Sequence, residues 1–511
     1  MTHDERLADL DQRRAHASGM GGPKKLEKRA ERGNLNAQQR LDLLVDEGSF
    51  IETGLLGASG VFRNDEAATP RDGKIVGFAE IDARPVAVVV NDFTVKGAST
   101  SATNSKKIGH ARNTSSQYGM PFVHVGESTG ARLPDAMGSR GMGQLLGNDP
   151  TQFLRDRKSP WAAAALDTSF GSSAWICCCS DFAVMKKGSI MSVSSPRLVS
   201  MAIGEKVDLE ELGGWRLHAE TTGLIDRFVD TDEEAMRDLR DFLSYMPSNN
   251  SEAPPDRPLA EDAAQDQSSI LEVLPERRTQ VYDMRKIVRT VLDRGSYFEL
   301  KARFGRSAIT ALARLGGRVV GVIANNPLVA GGALSAEACR KITDFQVLCD
   351  SFNVPLVRFM DTPGFVVGTD AERKGVPGLI MNFMNATCLV TVPSITVIVR
   401  KAYGRAYVAM GGGRHNSEMI AWPNAEVSFM DPVFATSIVH GLNPGDEGFD
   451  EALAEIQKDI EVWDMATIYA VQNVIKPQET RDYIIRMLEV YRRRRNGGVG
   501  EHRMANWPTS Y

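Results

Sequence analysis

Laid over itself at a displacement of 234 residues, the sequence repeats. Arg84-Pro85-Val86 precedes a β-branched run ending at Asn91, and Arg318-Val319-Val320 precedes one ending at Asn325. Gly97 falls on Gly331, Lys107 on Lys341, Pro121 on Pro355 and Gly130 on Gly364. One residue then drops out, after which Pro160 falls on Pro393 and Gly171 on Gly404. One or two such coincidences arise by chance, but a register held across so long a segment marks a duplicated domain. The period far exceeds that of a solenoid, so the chain reads as two copies of one domain. Residues 247–269 (PSNNSEAPPDRPLAEDAAQDQSS) are rich in Pro, Ser, Asp and Ala without apolar periodicity, the composition of a linker. This predicts an N-terminal domain over 1–246 and a C-terminal domain over 270–511.

Within each copy the pattern alternates. Residues 86–90 and 319–323 are short β-branched runs suited to strands buried on both faces. Residues 99–118 are mostly small or polar, with a helical rhythm at Ile108 and Ala111. Residues 122–125 and 356–359 are again strand-like, each following a proline. Strand, helix and strand in succession argue for an α/β fold with right-handed crossovers. From 449 to 494 the chain is charged with apolar residues at helical spacing, which predicts long amphipathic helices.

At 42% apolar and 24% charged residues, a chain of 511 residues has ample core to bury and is not globally disordered. Its 60 basic and 65 acidic residues leave a net charge of −5, so nothing favours nucleic acid or an anionic membrane surface. The first 32 residues are polar and charged, unlike a secretion signal. The most apolar long stretch, 383–399, is broken by Asn385, Thr387, Pro393 and Ser394, which argues against a membrane span. Six cysteines (Cys177, Cys178, Cys179, Cys339, Cys349, Cys388) lack the C-x-x-C spacing of a zinc site. The eight histidines, His124 and His415 among them, are scattered. A reduced, cytoplasmic protein with no metal is the expectation.

In each copy two strand-like runs end in a turn of small residues leading into a helical segment. The first copy has Ser128-Thr129-Gly130-Ala131 and Phe170-Gly171-Ser172-Ser173-Ala174; the second has Thr362-Pro363-Gly364-Phe365 and Tyr403-Gly404-Arg405-Ala406. Such turns expose backbone N–H groups at a helix start, where no intrahelical acceptor exists and the dipole favours negative charge. Two N–H groups aimed at one point form an oxyanion hole for an enolate or tetrahedral intermediate. Glycine turns also end strands in α/β proteins of every kind; their repetition in both copies favours a site without naming a reaction. Gly126-Glu127-Ser128-Thr129-Gly130 matches the nucleophile elbow as a string, with no recognisable Asp and His pattern after it, so a serine hydrolase is a minor alternative. Cys177 to Cys179 read as core, and Gly411-Gly412-Gly413 as a turn. Lys106-Lys107 either contact a phosphate or form a solvated helix face.

The chain resembles the carboxyltransferase (β) subunits of biotin-dependent acyl-CoA carboxylases, of the propionyl-CoA and methylcrotonyl-CoA type, over nearly its whole length. Residues 32–40 (RGNLNAQQR), then Leu43-Leu44 and Gly48-Ser49-Phe50, resemble the family's G-K-L-T-A-R-E-R segment and its G-S-F sequel. Asn91-Asp92-Phe93-Thr94-Val95 with Gly97 and Ala98 resemble D-F-T-x-x-G-G-S, and Ser128-Thr129-Gly130-Ala131-Arg132 is similar to S-G-G-A-R. Leu209-Glu210-Glu211-Leu212-Gly213-Gly214 contains E-E-L-G-G. Asp361-Thr362-Pro363-Gly364-Phe365 with Gly368-Thr369 resembles D-x-P-G-F-x-x-G-T, and Arg400-Lys401-Ala402-Tyr403-Gly404 resembles R-K-A-Y-G-G-A.

The resemblance implies two tandem crotonase-like β-β-α superhelical domains. It implies a carboxyl transfer from carboxybiotin to the α (or vinylogous) carbon of an acyl-CoA. Biotin would ride on a separate biotin carboxylase/biotin carboxyl carrier (α) subunit, and the core would be a homohexamer. It further implies two oxyanion holes: Gly171 and Ser172 N–H for the thioester oxygen, Arg405 and Ala406 N–H for the ureido oxygen. Gly97, Ala98, Gly130, Ala131, Arg132 and Val408 would then lie by the acyl-CoA, and Pro363, Gly364, Phe365, Tyr403 and Gly404 on the biotin side. The family's Gly-Gly pairs read Gly171-Ser172 and Gly404-Arg405 here, an acidic position of some members is Val408, and its R-H-G-A-K stretch reads Gly378-Leu379-Ile380-Met381-Asn382. No A-M-K-M biotinylation motif is present, since Met185-Lys186-Lys187 lacks the second methionine. No ATP-binding segment of the biotin carboxylase kind and no four-cysteine zinc module are present either. Two alternatives accompany this reading: a decarboxylase running the transfer in reverse, and a paralogue that binds acyl-CoA without transferring carboxyl groups.

Overall fold

From Val86 to Val90 no side chain is suited to face water, and the strand that carries them is buried inside a sheet. The structure, a computed structural model, describes residues 1–60, 68–145, 153–413, 416–492 and 494–508; His415 lies outside them. Among the described residues the first sheet comprises β1 (Ile51–Glu52), β2 (Lys74–Ile81), β3 (Arg84–Asn91), β4 (Phe122–Ser128), β5 (Trp161–Phe170), β6 (Phe182–Lys186), β7 (Ile190–Ser192) and β8 (Arg227–Val229). The order is β1-β2-β3-β4-β5-β6-β8, with β7 beside β5; β1 to β3 pair antiparallel and the rest parallel.

The second sheet comprises β9 (Phe298–Leu300), β10 (Ala308–Leu315), β11 (Arg318–Asn325), β12 (Leu356–Thr362), β13 (Ser394–Tyr403), β14 (Glu418–Ala421), β15 (Glu426–Ser428) and β16 (Asn473–Val474). Its order is β16-β14-β13-β12-β11-β10-β9, with β15 beside β13. The copies agree pair by pair. Ala87 faces Phe122 as Gly321 faces Leu356, and Lys74 faces Asn91 as Ala308 faces Asn325. Even the irregularity repeats: register slips between Gly126 and Ser128 on β4, and between Met360 and Thr362 on β12. A bulge at one place in both copies bends the strand as it enters the following turn. The helices Ala102–Tyr118 and Ala336–Ser351 make the crossovers between β3 and β4 and between β11 and β12.

By its contacts the described chain divides into Met1–Asn250 and Ser251–Tyr511. Residues 247–269, the segment with linker composition, are tied down: Asn249 Nδ2 donates to Gly119 O in the first unit, while in the second the Arg257 N–H donates to Gly317 O and Ala263 is buried. Long helices over 449–494 are not what forms. The described residues there make helices Phe449–Lys458, Val462–Thr467 and Thr480–Arg492, interrupted by β16. The unpaired edge of β14 explains the break, because its carbonyls take the N–H groups of Gln472 (to Met419, 2.8 Å) and Ile475 (to Ala421, 3.0 Å). Among the described residues no helix is long and apolar enough to cross a membrane.

His124 on β4 and Arg358 on β12 occupy the same place in the repeat, and both are fully enclosed. Burial, aided by nearby Lys74, pushes the His124 imidazole down to about 3. The unfolded chain therefore takes up a proton near 6.5 that the folded chain refuses, so stability is lost as pH falls from 6.5 towards 3. Replacing His124 with Met should make that loss shallower by about 1.4 kcal/mol per pH unit, read from denaturant unfolding between pH 7 and 5.

Candidate active site

A carboxylate sits at the end of the middle parallel strand in each unit, Glu127 on β4 and Asp361 on β12, both buried. Alone, either would be expelled or protonated, so each position requires cations. Arg29, from helix Pro23–Ala30, grips Glu127 with two hydrogen bonds of 2.9 and 2.6 Å. Arg40, from helix Ala37–Leu44, donates to the same carboxylate at 2.5 Å and through Nε to Asp232 at 2.9 Å. Lys186 Nζ reaches Asp232 at 2.8 Å and Asp167 at 3.2 Å. Burial pushes Glu127 up, with Arg40 and Arg29 opposing. In the second unit Asp361 accepts from Arg400 Nε (3.0 Å), Tyr282 Oη (2.8 Å) and the Lys401 N–H (3.2 Å). Burial raises its pKa too, opposed first by Arg400.

These clamped strand ends set the next residues. In the first unit the Ser128 hydroxyl donates to Ala98 O and accepts from the Gly130 N–H, each at 3.1 Å. The Thr129 N–H reaches Gly97 O (3.0 Å), the Thr100 N–H reaches Gly130 O and the Arg132 N–H reaches Thr100 O (both 2.8 Å). The Arg132 guanidinium is held by Asp72 and Ser99. β5 ends beside this loop at Gly171, whose φ of 61° and ψ of −123° suit glycine alone. A Cβ on Gly171 would stand 3.8 Å from the Gly130 Cα, which measures how closely the two turns approach. Helix Ser172–Cys179 follows, and the Ser172 hydroxyl lies 2.7 Å from that of Thr100. The Gly171 N–H points to Ser192 O at 3.4 Å; the Ser172 N–H, at the first helical position, has no intrahelical acceptor. Gly97, Ala98, Gly130, Ala131, Arg132, Gly171 and Ser172 thus come together.

The second unit repeats the construction. The Gly364 N–H donates to Thr362 Oγ1 (3.3 Å), the Leu334 N–H to Gly364 O (3.0 Å) and the Val366 N–H to Leu334 O (2.9 Å). β13 pairs Ala402 with Thr362, which sets Tyr403 and Gly404 beside Pro363, Gly364 and Phe365. Gly404 has φ 58° and opens helix Gly404–Ala409, whose first N–H groups, Arg405 and Ala406 included, lack intrahelical acceptors. The Tyr403 hydroxyl donates to Glu426 and accepts from Arg278. Arg405 is exposed, Val408 half-buried and Ala406 buried.

Two cavities flank the first turn. One, of about 460 Å³, has a basic excess, with Lys25, Lys28, Arg29, Arg32 and Lys96 against Glu127 and Asp167, beside Gly97 and Thr168. The other, of about 340 Å³, begins at Thr100 and Ser172 and is walled by aromatic and aliphatic side chains. Lys107 binds no phosphate: its Nζ donates to the carbonyls of Arg71 (2.8 Å) and Lys74 (2.7 Å), as Lys341 Nζ does to those of Lys301, Phe304 and Ala308. Lys106 is exposed at the rim of the apolar cavity. Ser128 is buried and spends its proton on Ala98 O, which does not suit a nucleophile.

Sequence reasoning passed over the acid–arginine clamps, Thr100 and the aromatic cavity. One signal was available: Glu127 and Asp361 coincide in the repeat, each an acid at the end of a strand-like run. Removing Arg40 by Arg40→Met leaves Asp232 and Glu127 short of a buried cation and should cost about 3–5 kcal/mol in chemical denaturation. Adding Glu127→Gln should recover part of that loss.

Residues 28–504 match the carboxyl transferase domain family. The chain is similar to the propionyl-CoA carboxylase beta chain of Roseobacter denitrificans, 35% identical over 490 residues that cover 94% of this chain and 95% of that one. It is also similar to the methylmalonyl-CoA decarboxylase subunit alpha of Veillonella parvula, 31% identical over 500 residues covering 95% and 96%. Among solved structures it is similar to transcarboxylase 12S, a hexamer with methylmalonyl-coenzyme A bound, at a TM-score of 0.88, 32% identity and 96% coverage of both chains. With two tandem crotonase-like sheets built to one register and a family match across nearly the full length, this chain belongs to the carboxyl transferase family, as a carboxyltransferase subunit of the biotin-dependent acyl-CoA carboxylase type.

Proposed function

We propose that this subunit transfers a carboxyl group between carboxybiotin on a partner carrier and the α carbon of an acyl-CoA, through an enolate held by backbone N–H donors. One observation carries the reading: at matched positions of the two units a glycine at φ near 60° precedes helix N–H groups that have no intrahelical acceptor. Donors fixed in advance stabilise charge that develops during reaction without reorganising. In the first unit the Ser172 N–H, with Gly171, would hold the thioester oxygen as the α-proton leaves. Because the Gly171 N–H is already directed at Ser192 O, Ser172 is the better-placed donor. Lys28, Arg32 and Lys96 of this cavity suit the phosphates of coenzyme A, Arg29 being committed to Glu127 and Lys25 to the Thr94 carbonyl, with the pantetheine passing Gly97, Ala98 and Gly130.

In the second unit the Arg405 and Ala406 N–H groups fit a ureido oxygen, with Pro363, Gly364, Phe365, Tyr403 and Gly404 around them. Bound there, carboxybiotin would supply CO2 and a ureido nitrogen able to take the α-proton. The Arg405 guanidinium is exposed, so the backbone donor does not depend on burying a cation. Val408, half-buried on the same helix, offers an apolar contact. A biotin carboxylase/biotin carboxyl carrier (α) subunit is the expected partner.

Assembly with copies of itself is supported by two helices at matched places, Pro196–Ile203 and Pro432–His440. They expose Leu198, Met201 and Ile203, and Phe434, Ile438 and Val439. Apolar faces of that extent call for a cover, and the similar transcarboxylase 12S is a hexamer. Decarboxylation is the second reading, favoured by the likeness to the Veillonella parvula decarboxylase subunit. Enolate stabilisation serves both directions equally.

Incorporation of labelled bicarbonate into acyl-CoA, with ATP and a biotinylated partner, tests the forward direction; label loss from a malonyl-type CoA tests the reverse. Ser172→Pro removes one N–H at a helix position that accepts proline, and should lower kcat about 10²–10³-fold, whereas Ser172→Ala should keep it. An unchanged kcat in Ser172→Pro would sink the assignment of the first hole.

A further inference from the structure

The two cavities beside the first turn differ in chemistry, and the turn itself divides them. The basic cavity is bounded by Gly97 and Thr168, the apolar one by Thr100 and Ser172. Each pair is joined by only a few residues, which include the loop against Gly130 and Gly171. A molecule with an anionic head, a reactive carbonyl and an apolar tail would lay its three parts along this line in that order. Resting on the acyl-CoA reading above, we infer that the apolar cavity receives the acyl chain and that the substrate is an acyl-CoA of medium length, about eight to ten carbons. The cavity of about 340 Å³, at about 30 Å³ for each methylene-sized group, has room for about ten non-hydrogen atoms. A two- or three-carbon acyl group would leave most of it unfilled.

The walls suit a hydrocarbon. Phe122 and Trp161, buried at a centroid distance of 5.3 Å, form one part; Phe153 and Trp175, edge to face at 5.6 Å, form another. Ile108 and Ile176 line it as well. Phe153 and Trp175 are 36% and 37% exposed, and aromatic surface left open in a concavity marks a binding site. The lining also has polar members: Arg112 and Asn113 are hydrogen-bonded to each other, His110 packs edge to face on Phe78, and Ser105, Lys106 and Gln144 complete it. Gly109 keeps one wall of the cavity clear. It lies inside helix Ala102–Tyr118 and lines the cavity, and a Cβ there meets nothing within 4 Å. A glycine within a helix weakens it, and here the missing side chain leaves the space open.

The test is equilibrium binding of the full chain to free CoA and to acetyl-, butanoyl-, hexanoyl- and octanoyl-CoA, by calorimetry, for wild type, Gly109→Phe and Gly109→Ala. Wild type should tighten by about fourfold per added methylene up to octanoyl. Gly109→Phe, which fills the cavity from a wall with free space before it, should lose those increments, and Gly109→Ala should keep most of them. Quenching or shift of Trp161 and Trp175 fluorescence should grow with chain length in wild type and Gly109→Ala, and not in Gly109→Phe. An affinity independent of chain length in wild type, or increments that survive in Gly109→Phe, overturns the assignment while acyl-CoA binding itself stands. Failure to bind even free CoA would instead remove the acyl-CoA reading, and this inference with it.

Discussion

The structure of each unit depends on a negative charge kept buried at the end of its middle parallel strand. Glu127 and Asp361 terminate the middle parallel strands, out of reach of water, and are held by arginines and by a lysine N–H or a tyrosine hydroxyl from elsewhere. Such a pair is a poor source of net stability, because desolvating two ions costs nearly as much as their attraction returns. What it supplies is position. A carboxylate taking three or more directed hydrogen bonds cannot slide along its strand, so the register shift against the next strand falls at that carboxylate and the turn beyond it forms in one way. In the first unit the clamp also draws in helices Pro23–Ala30 and Ala37–Leu44, the first of which carries three of the cations around the basic cavity, Lys25, Lys28 and Arg29. The ion pairs and the site are therefore one construction.

Duplication explains why two turns with different surroundings share one geometry. Both copies keep the glycine at φ near 60°, the loop bridge (Thr100 to Ala131, Leu334 to Phe365) and the caged lysine (Lys107, Lys341). They differ in what surrounds the turn. The first copy has cations on one side and aromatic rings on the other; the second has a tyrosine–glutamate–arginine cluster and an exposed Arg405. In the proposed transfer two oxygens gain negative charge in turn, and a doubled fold would provide the two preorganised donor sets without two inventions.

Legibility followed the range of the interactions. The strand–helix–strand order, the crossover helices and the glycine turns rest on local periodicity and backbone sterics, and the sequence shows them directly. The carboxyl-terminal segment misled because helical spacing is also local, while the pairing of Asn473 and Val474 with β14 is not. Lys107 was ambiguous for the same reason: a lysine on a helix face looks the same whether water or two carbonyls receive it.

By itself the sequence determined that two copies of one α/β domain exist, that each ends paired strands in glycine turns, and to which family the chain belongs. These properties lie in residue types at fixed spacings, and spacing survives unfolding. Only the tertiary structure decided that Arg29 and Arg40 answer Glu127 some 90 to 100 positions away, that Thr100 meets Ser172, and that Phe122, Trp161, Phe153 and Trp175 wall one cavity. Those partners are chosen by which elements the sheet brings side by side, and no period along the chain records that choice.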